Sequence, residues 1–276
     1  MKNSETFNQR LRAVQHETNS LLCVGIDPDI ERLPAHLSKD VQGVREFCYN
    51  IIQSTSAYAC GYKFNSAFFE VLGPEGFELL GELRKEIPKP LLAIYDVKRG
   101  DIGNTAKQYA KAAFDTLKMD AVTINPYMGL DAVKPFVENP KIGAFVLCLT
   151  SNEGSRDFQQ QSLENGSPLF IQVAKKCAEW NTSDNIGLVV GATKPEYLAK
   201  IRSAANDLPI LAPGVGAQGG DLEQTLAAGL LRDSTGMIIP ISRSVIFASD
   251  ELDYAEKAAE QAKYFQEQIN TYRQKE

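Results

Sequence analysis

Histidine is nearly absent from this chain of 276 residues: there are two, His16 and His36, both near the polar N-terminus. That scarcity argues against the common His/Cys zinc sites and against Ser-His-Asp triads. An enzyme built this way draws its acids and bases from Lys, Asp and Glu. Cysteine is also sparse. The five residues Cys23, Cys48, Cys60, Cys148 and Cys177 are odd in number and show no C-x-x-C spacing, so they read as reduced, buried thiols. No apolar run approaches the roughly 20 residues that a membrane span needs. A basic excess is missing too: the net charge of −6 speaks against nucleic-acid and membrane-surface partners, while leaving room for one small anion in a local basic pocket. The first residues, MKNSETFNQRLRAVQHE, lack the apolar core of a signal peptide and are too acidic for a transit peptide, which implies a cytoplasmic protein.

What is present is an ordinary globular composition, 43% hydrophobic and 23% charged, over a length that suits one large α/β barrel or two small domains. Eight short apolar runs recur along the chain: Leu21–Ile26, Gly61–Phe64, Leu91–Tyr95, Ala121–Ile124, Ala144–Leu149, Gly187–Val190, Ile210–Ala212 and Met237–Ile241. Near-continuous hydrophobicity of that length marks strands buried on both faces. Helix-like stretches alternate with them at Val41–Tyr58, Gly76–Glu86, Ile102–Leu117, Leu169–Trp180, Pro195–Ala205 and Leu222–Ala228. This alternation predicts a (β/α)₈ TIM barrel, a single domain over residues 1–276, with an N-terminal helix and a C-terminal helix over Glu251–Gln274. The longest irregular stretch, Ser151–Ser167, fits a lid or binding loop and fits a tolerated surface insertion equally well.

Barrel active sites form at the C-terminal ends of the strands. Charged residues there are Asp27, Lys63, Asp96, Lys98, Asp101 in the following loop, and Arg243. The densest group is DVKRGD, Asp96 to Asp101. Residues two apart in a strand share a face, so Asp96 and Lys98 are expected side by side. At about 4 Å and an effective dielectric near 20, such a pair interacts by roughly 4 kcal/mol, which keeps Lys98 protonated. A protonated lysine suits stabilising negative charge and donating a proton better than it suits a Schiff base. Two plainer readings stay open: Asp96 and Lys98 as a structural ion pair, and Asp101 as the N-cap of the helix beginning near Ile102.

A second motif, APGVGAQGGD, runs from Ala212 to Asp221 after the seventh run. Its glycines permit tight turns and close approach of backbone N–H groups to an anion. A helix N-terminus follows, and Arg243 after the eighth run offers a forked cation suited to phosphate oxygens. The residues alone thus indicate a phosphorylated small-molecule substrate and a Lys/Asp site without histidine.

Taken together, DVKRGDIGNT and PGVGAQGGD resemble the motifs of the orotidine 5′-phosphate decarboxylase family, in order and spacing. The resemblance implies a carboxy-lyase that converts orotidine 5′-phosphate to uridine 5′-phosphate and CO₂, closing de novo pyrimidine (UMP) biosynthesis without cofactor or metal. It implies catalytic roles for Asp96, Lys98 and Asp101, and a homodimer in which Asp101, Ile102 and Thr105 reach the partner's site. By the same likeness Asp27 and Lys63 hold the ribose and Ser151, or its neighbour Thr150, meets the pyrimidine edge. Gln218 and Arg243 hold the 5′-phosphate beside a loop containing Pro213, Gly214, Gly216, Gly219 and Gly220. Ser242 departs from the glycine that shorter members place before the phosphate arginine. Two other functions remain to be separated from this one: a Mg²⁺-dependent sugar-phosphate decarboxylase or synthase of the same superfamily, and a non-catalytic barrel that binds nucleoside phosphates.

Overall fold

A computed structural model describes residues 5–215 and 220–273. Eight parallel strands close into a barrel in sequence order: β1 (Leu22–Ile26), β2 (Gly61–Asn65), β3 (Leu92–Arg99), β4 (Ala121–Ile124), β5 (Gly143–Leu149), β6 (Ile186–Val190), β7 (Ile210–Leu211) and β8 (Met237–Ile241). The helices are α1 (Phe7–Glu17), α2 (Val41–Thr55), α3 (Ala67–Glu70), α4 (Pro74–Glu86), α5 (Gly103–Lys111), α6 (Leu130–Val137), α7 (Leu169–Trp180), α8 (Pro195–Ala204), α9 (Leu222–Gly229), α10 (Arg243–Ile246) and α11 (Tyr254–Arg273). All eight apolar runs become strands, with ends that differ from the sequence reading by up to four residues.

Two stretches depart from the sequence reading. The segment between β4 and β5 holds α6, whose short span and internal Pro135 hide the helical period. The helix expected over Ile102–Leu117 starts at Gly103, leaves α-geometry at Ala112 and continues as a π-helical turn to Thr116. The long loop after β5 carries a 3₁₀ turn, Glu153–Arg156, and an isolated bridge between Ser162 and Pro168.

Strand alternation divides the buried side chains into two sets. One set, facing outward from the barrel, packs under the helices, with Val24, Tyr62, Phe64 and Ile239 among its members. The other fills the interior with Cys23, Leu92, Ile94, Ala121, Phe145, Val189, Leu211 and Ile238. Phe7, Leu11 and Val14 of α1 join this interior set, so the N-terminal helix plugs the mouth of the barrel opposite the strands' C-terminal ends. Gln15 anchors the plug by donating to the Met237 carbonyl and accepting from the Gly236 N–H. Gly143 leaves the space that the Phe7 ring occupies; a Cβ there would stand 2.4 Å from the ring. At the other end of the chain α11 packs against α2 and α9, and Tyr254 accepts a hydrogen bond from Asn50.

All five cysteines are free and buried, and burial pushes their thiols well above the ordinary range. Among the described residues no helix is long and apolar enough to cross a membrane.

Candidate active site

With one end of the interior filled by α1 and apolar side chains, the next inward positions toward the strands' C-terminal ends carry charge. Register places Gly25 beside Lys63 and Asn65 beside Asp96. Lys63 therefore projects into the barrel two residues above Gly61, and Asp96 two residues above Ile94. The Lys63 ammonium lies 3.0 Å from Asp96 Oδ2 and 3.7 Å from Asp27 Oδ1. On the other oxygen of the same carboxylate, Lys98 Nζ donates to Asp96 Oδ1 at 2.7 Å. The result is a row of alternating charge, Asp27, Lys63, Asp96, Lys98. Lys63 is buried and Asp27 and Asp96 are partly buried, while the Lys98 side chain is 47% exposed at the open end.

Electrostatics fix the protonation of the inner members. Burial works against the charge on Asp96, but the Lys63 and Lys98 ammonium groups outweigh it and hold its pKa at about 2. Burial likewise penalises charged Lys63, and Asp27 and Asp96 more than compensate, raising it above the usual lysine value.

The pair Asp96 and Lys98 does share a face, though not by regular alternation. Between Tyr95↔Val122 and Arg99↔Ile124, β3 advances four residues while β4 advances two, so the ladder bulges over Asp96 to Lys98. Lys98 takes a left-handed backbone conformation, φ +49°, which is strained for a residue with a side chain. Bulge and strain together carry its ammonium back over the Asp96 carboxylate.

Asp101 does not cap the following helix. The N-cap position of α5 belongs to Ile102, and the Asp101 carboxylate accepts from the Ile102 N–H at 2.8 Å. Among the described residues Asp101 makes none of the row's ion pairs; Ile102 and Thr105 beyond it are exposed.

A cleft of about 210 Å³ joins this row to the ends of β7 and β8. It is lined by Asp27, Lys63 and Asp96 on one side, and by Pro213, Gly214, Ser242 and Arg243 on the other. Gly214 has φ +110°, a backbone that L side chains rarely adopt. The Gly220 N–H donates to the Gly214 carbonyl, and a Cβ at Gly220 would stand 2.7 Å from that oxygen. Gly216, Gln218 and Gly219 lie outside the described residues. Asp221 caps α9 by accepting from the Gln224 N–H. Arg243 is exposed at the rim and makes no ion pair among the described residues.

The loop after β5 borders the same face. The Thr150 hydroxyl is engaged inside its own loop, with Asn152 and Gln159. Ser151 is exposed and stands against Gly191, where a Cβ would come within 2.9 Å of the Ser151 nitrogen.

Two further polar side chains stand in this region, one noted in the sequence only as a departure from glycine and one that sequence reasoning missed. Ser242 lines the cleft with its Oγ buried and, among the described residues, unpartnered, close against Gly25. Thr123, inside the run Ala121–Ile124, is buried and donates to Asp96 Oδ1 at 2.9 Å.

Comparison with known proteins bears on the family and the fold. Residues 20–258 match the model of the orotidine 5′-phosphate decarboxylase / HUMPS family. An orotidine 5′-phosphate decarboxylase of Herpetosiphon aurantiacus is 46% identical over 260 residues, 94% of this chain and 96% of that protein. One from Dehalococcoides mccartyi is 46% identical over 272 residues, 98% of this chain and 99% of that protein. Among solved structures, Leishmania donovani OMP decarboxylase superposes with a TM-score of 0.87 at 39% identity, covering 98% of this chain and 100% of that one. The barrel, the charged row at its open end and these likenesses over nearly the whole length place the chain in the orotidine 5′-phosphate decarboxylase / HUMPS family.

Proposed function

We propose that this protein decarboxylates orotidine 5′-phosphate to uridine 5′-phosphate. The observation that carries the reading is the fixed charge row, in which Asp96 holds Lys63 on one oxygen and Lys98 on the other. Loss of CO₂ from C6 leaves an electron pair in the plane of the pyrimidine, where the ring's π system cannot delocalise it. A preorganised ammonium is suited to that charge, and Lys98 is the one at the open end of the row. It stabilises the carbanion and then supplies its proton to C6. Asp96 stays ionised and keeps Lys98 oriented.

In this reading Asp27 and Lys63 hold the ribose hydroxyls, and Ser151 meets the pyrimidine edge. Arg243 takes the 5′-phosphate in the cleft beside Gly214, with Gln218 assigned by sequence alone. Binding energy from the phosphate, remote from C6, goes into positioning the reacting carbon. The chemistry needs no cofactor. The space between Asp27 and Asp96 already holds a tethered cation, the Lys63 ammonium, which would repel a divalent metal ion there.

The working unit is a homodimer that shares its sites. Asp101, separate from its own subunit's row, and the exposed Ile102 and Thr105 then complete the partner's site. Further exposed apolar side chains, Tyr127, Met128 and Leu130, follow β4, and Met128 lies beside Gly100. Burying such a patch favours association. The whole chain acts as one domain, and its reduced, buried thiols suit the cytoplasm.

The test is direct. Purified protein with orotidine 5′-phosphate should lose the substrate's ultraviolet absorbance and release uridine 5′-phosphate, at an unchanged rate in excess EDTA. Absence of turnover would leave only a nucleotide-binding barrel, and loss of activity in EDTA would point to the Mg²⁺-dependent branch of the superfamily.

A further inference from the structure

Thr123 stands opposite the bulge in β3, at the one stretch where β4 has no backbone partner for it. Its side chain fills that role. The hydroxyl oxygen accepts from the backbone N–H of Val97 at 3.0 Å and from that of Lys98 at 3.0 Å. A hydroxyl has two acceptor sites and one proton, so both lone pairs are used and the proton has one direction left. It points to Asp96 Oδ1, 2.9 Å away, the same oxygen that receives the Lys98 ammonium. The residue is 1% exposed, so water does not compete for these bonds.

Three consequences meet in this one oxygen. Asp96 Oδ1 must be an acceptor, since the hydroxyl facing it is a donor. The carboxylate cannot rotate without breaking either this bond or its bond to Lys63. The strained Lys98 backbone, φ +49°, is pinned by its own N–H to the group that orients its ionic partner. Backbone and side chain of Lys98 are thus referenced to a single atom on the neighbouring strand.

We propose that Thr123 is a positioning residue for the reaction: its hydroxyl sets the geometry of the Asp96–Lys98 pair by bonding the carboxylate and the Lys98 backbone at once. This deepens the decarboxylase reading and rests on it for its kinetic consequence, though not for its structural one. Thr123 itself does not touch the substrate. Displacement of a catalytic group by about 1 Å can cost about a hundredfold in rate, so loss of the hydroxyl should appear in kcat.

Thr123→Val and Thr123→Ser separate hydroxyl from shape, because valine keeps the volume and serine keeps the oxygen. Thr123→Val should lower kcat for orotidine 5′-phosphate by about ten- to a hundredfold with KM changed by less than about threefold. Thr123→Ser should retain at least about a third of the wild-type kcat. A wild-type rate in the valine variant, or equal losses in both, overturns the proposal, the second outcome because it would assign the effect to packing. Amide hydrogen exchange at Val97 and Lys98, read without substrate, gives the structural arm. Exchange should accelerate at least about tenfold in Thr123→Val and stay near wild type in Thr123→Ser; unchanged protection in the valine variant overturns the proposal. If Thr123→Val does not fold, Thr123→Cys, with its weak donor and acceptor, takes its place against serine. Should the wild-type protein fail to turn over orotidine 5′-phosphate, the decarboxylase reading falls while the exchange arm still decides the role of Thr123.

Discussion

Lys63 and Lys98 approach the same Asp96 carboxylate from opposite sides, one on each oxygen, at 3.0 and 2.7 Å. The two lysines differ in environment: the Lys63 side chain is 9% exposed and faces a second carboxylate, Asp27, whereas the Lys98 side chain is 47% exposed at the open end of the row. The inner lysine is held between two carboxylates, and the outer one is held by Asp96 alone.

Replacing Lys98 with Ala should remove nearly all turnover, by at least about a thousandfold, since it deletes the group that the proposed mechanism sets against the developing charge. Its exposure means that little packing is lost, so the thermal unfolding temperature should change by only a few degrees. Retention of normal kcat in Lys98→Ala would remove this residue from the chemistry.

Lys63→Met should behave differently. It preserves much of the apolar stem but leaves Asp27 and Asp96 as neighbouring, largely buried carboxylates with one cation fewer. Breaking a buried ion pair from one side costs about 3 kcal/mol or more. Urea denaturation should show that loss. Unfolding at the wild-type denaturant concentration would mean that the row adds nothing to stability.

The pH dependence of stability follows from Asp96. Its folded pKa, about 2, lies below the unfolded value, so its contribution is complete above the ordinary carboxylate range and is lost as pH falls through about 2. Between these limits the unfolded chain binds more protons, so stability rises with pH. Lys63 acts in the opposite sense: its contribution is complete below the ordinary lysine value and fades only in strong alkali. Unfolding free energy measured from about pH 5 down to about pH 2 should fall more steeply in wild type than in Asp96→Asn. Parallel curves would show that the neighbouring lysines do not hold the Asp96 proton off.

Arg243→Ala should weaken substrate binding above all. A forked, charge-assisted contact to phosphate oxygens is worth about 1.5–3 kcal/mol, which corresponds to a rise in KM of about ten- to a hundredfold. Unchanged KM would take Arg243 out of the phosphate site.

The barrel was legible because parallel strands buried on both faces must be continuously apolar, and six of the eight runs are followed by a charged or polar residue: Asp27, Asn65, Asp96, Asn125, Thr150 and Ser242. The charged row was legible for the same reason: Lys63 and Asp96 interrupt apolar runs. Thr123 was not, because threonine between Val122 and Ile124 has the shape of valine and obeys the strand pattern. The bulge that brings Lys98 back over Asp96 depends on pairing between β3 and β4, which no local pattern in DVKRGD encodes. α6 stayed hidden behind Pro135, and the plug formed by α1 depends on contacts with strands far along the chain, such as Phe7 against Phe145.

The proposed sharing of sites between two subunits makes the sharpest demand on the molecule. Asp101 spends one carboxylate oxygen on the Ile102 N–H and makes none of the row's ion pairs among the described residues, while Ile102 is 53% exposed. If Asp101 completes the partner's site, an Asp96→Asn dimer and an Asp101→Asn dimer are each defective at both sites. Mixing them produces hybrids in which one site collects both defects and the other collects neither. Subunit exchange should then restore activity, up to about a quarter of the wild-type value per total site when random pairing makes half of the dimers hybrids. Sedimentation must show a dimer throughout. A mixture that regains nothing, although exchange is demonstrated by a mass tag, would confine Asp101 to its own subunit's site.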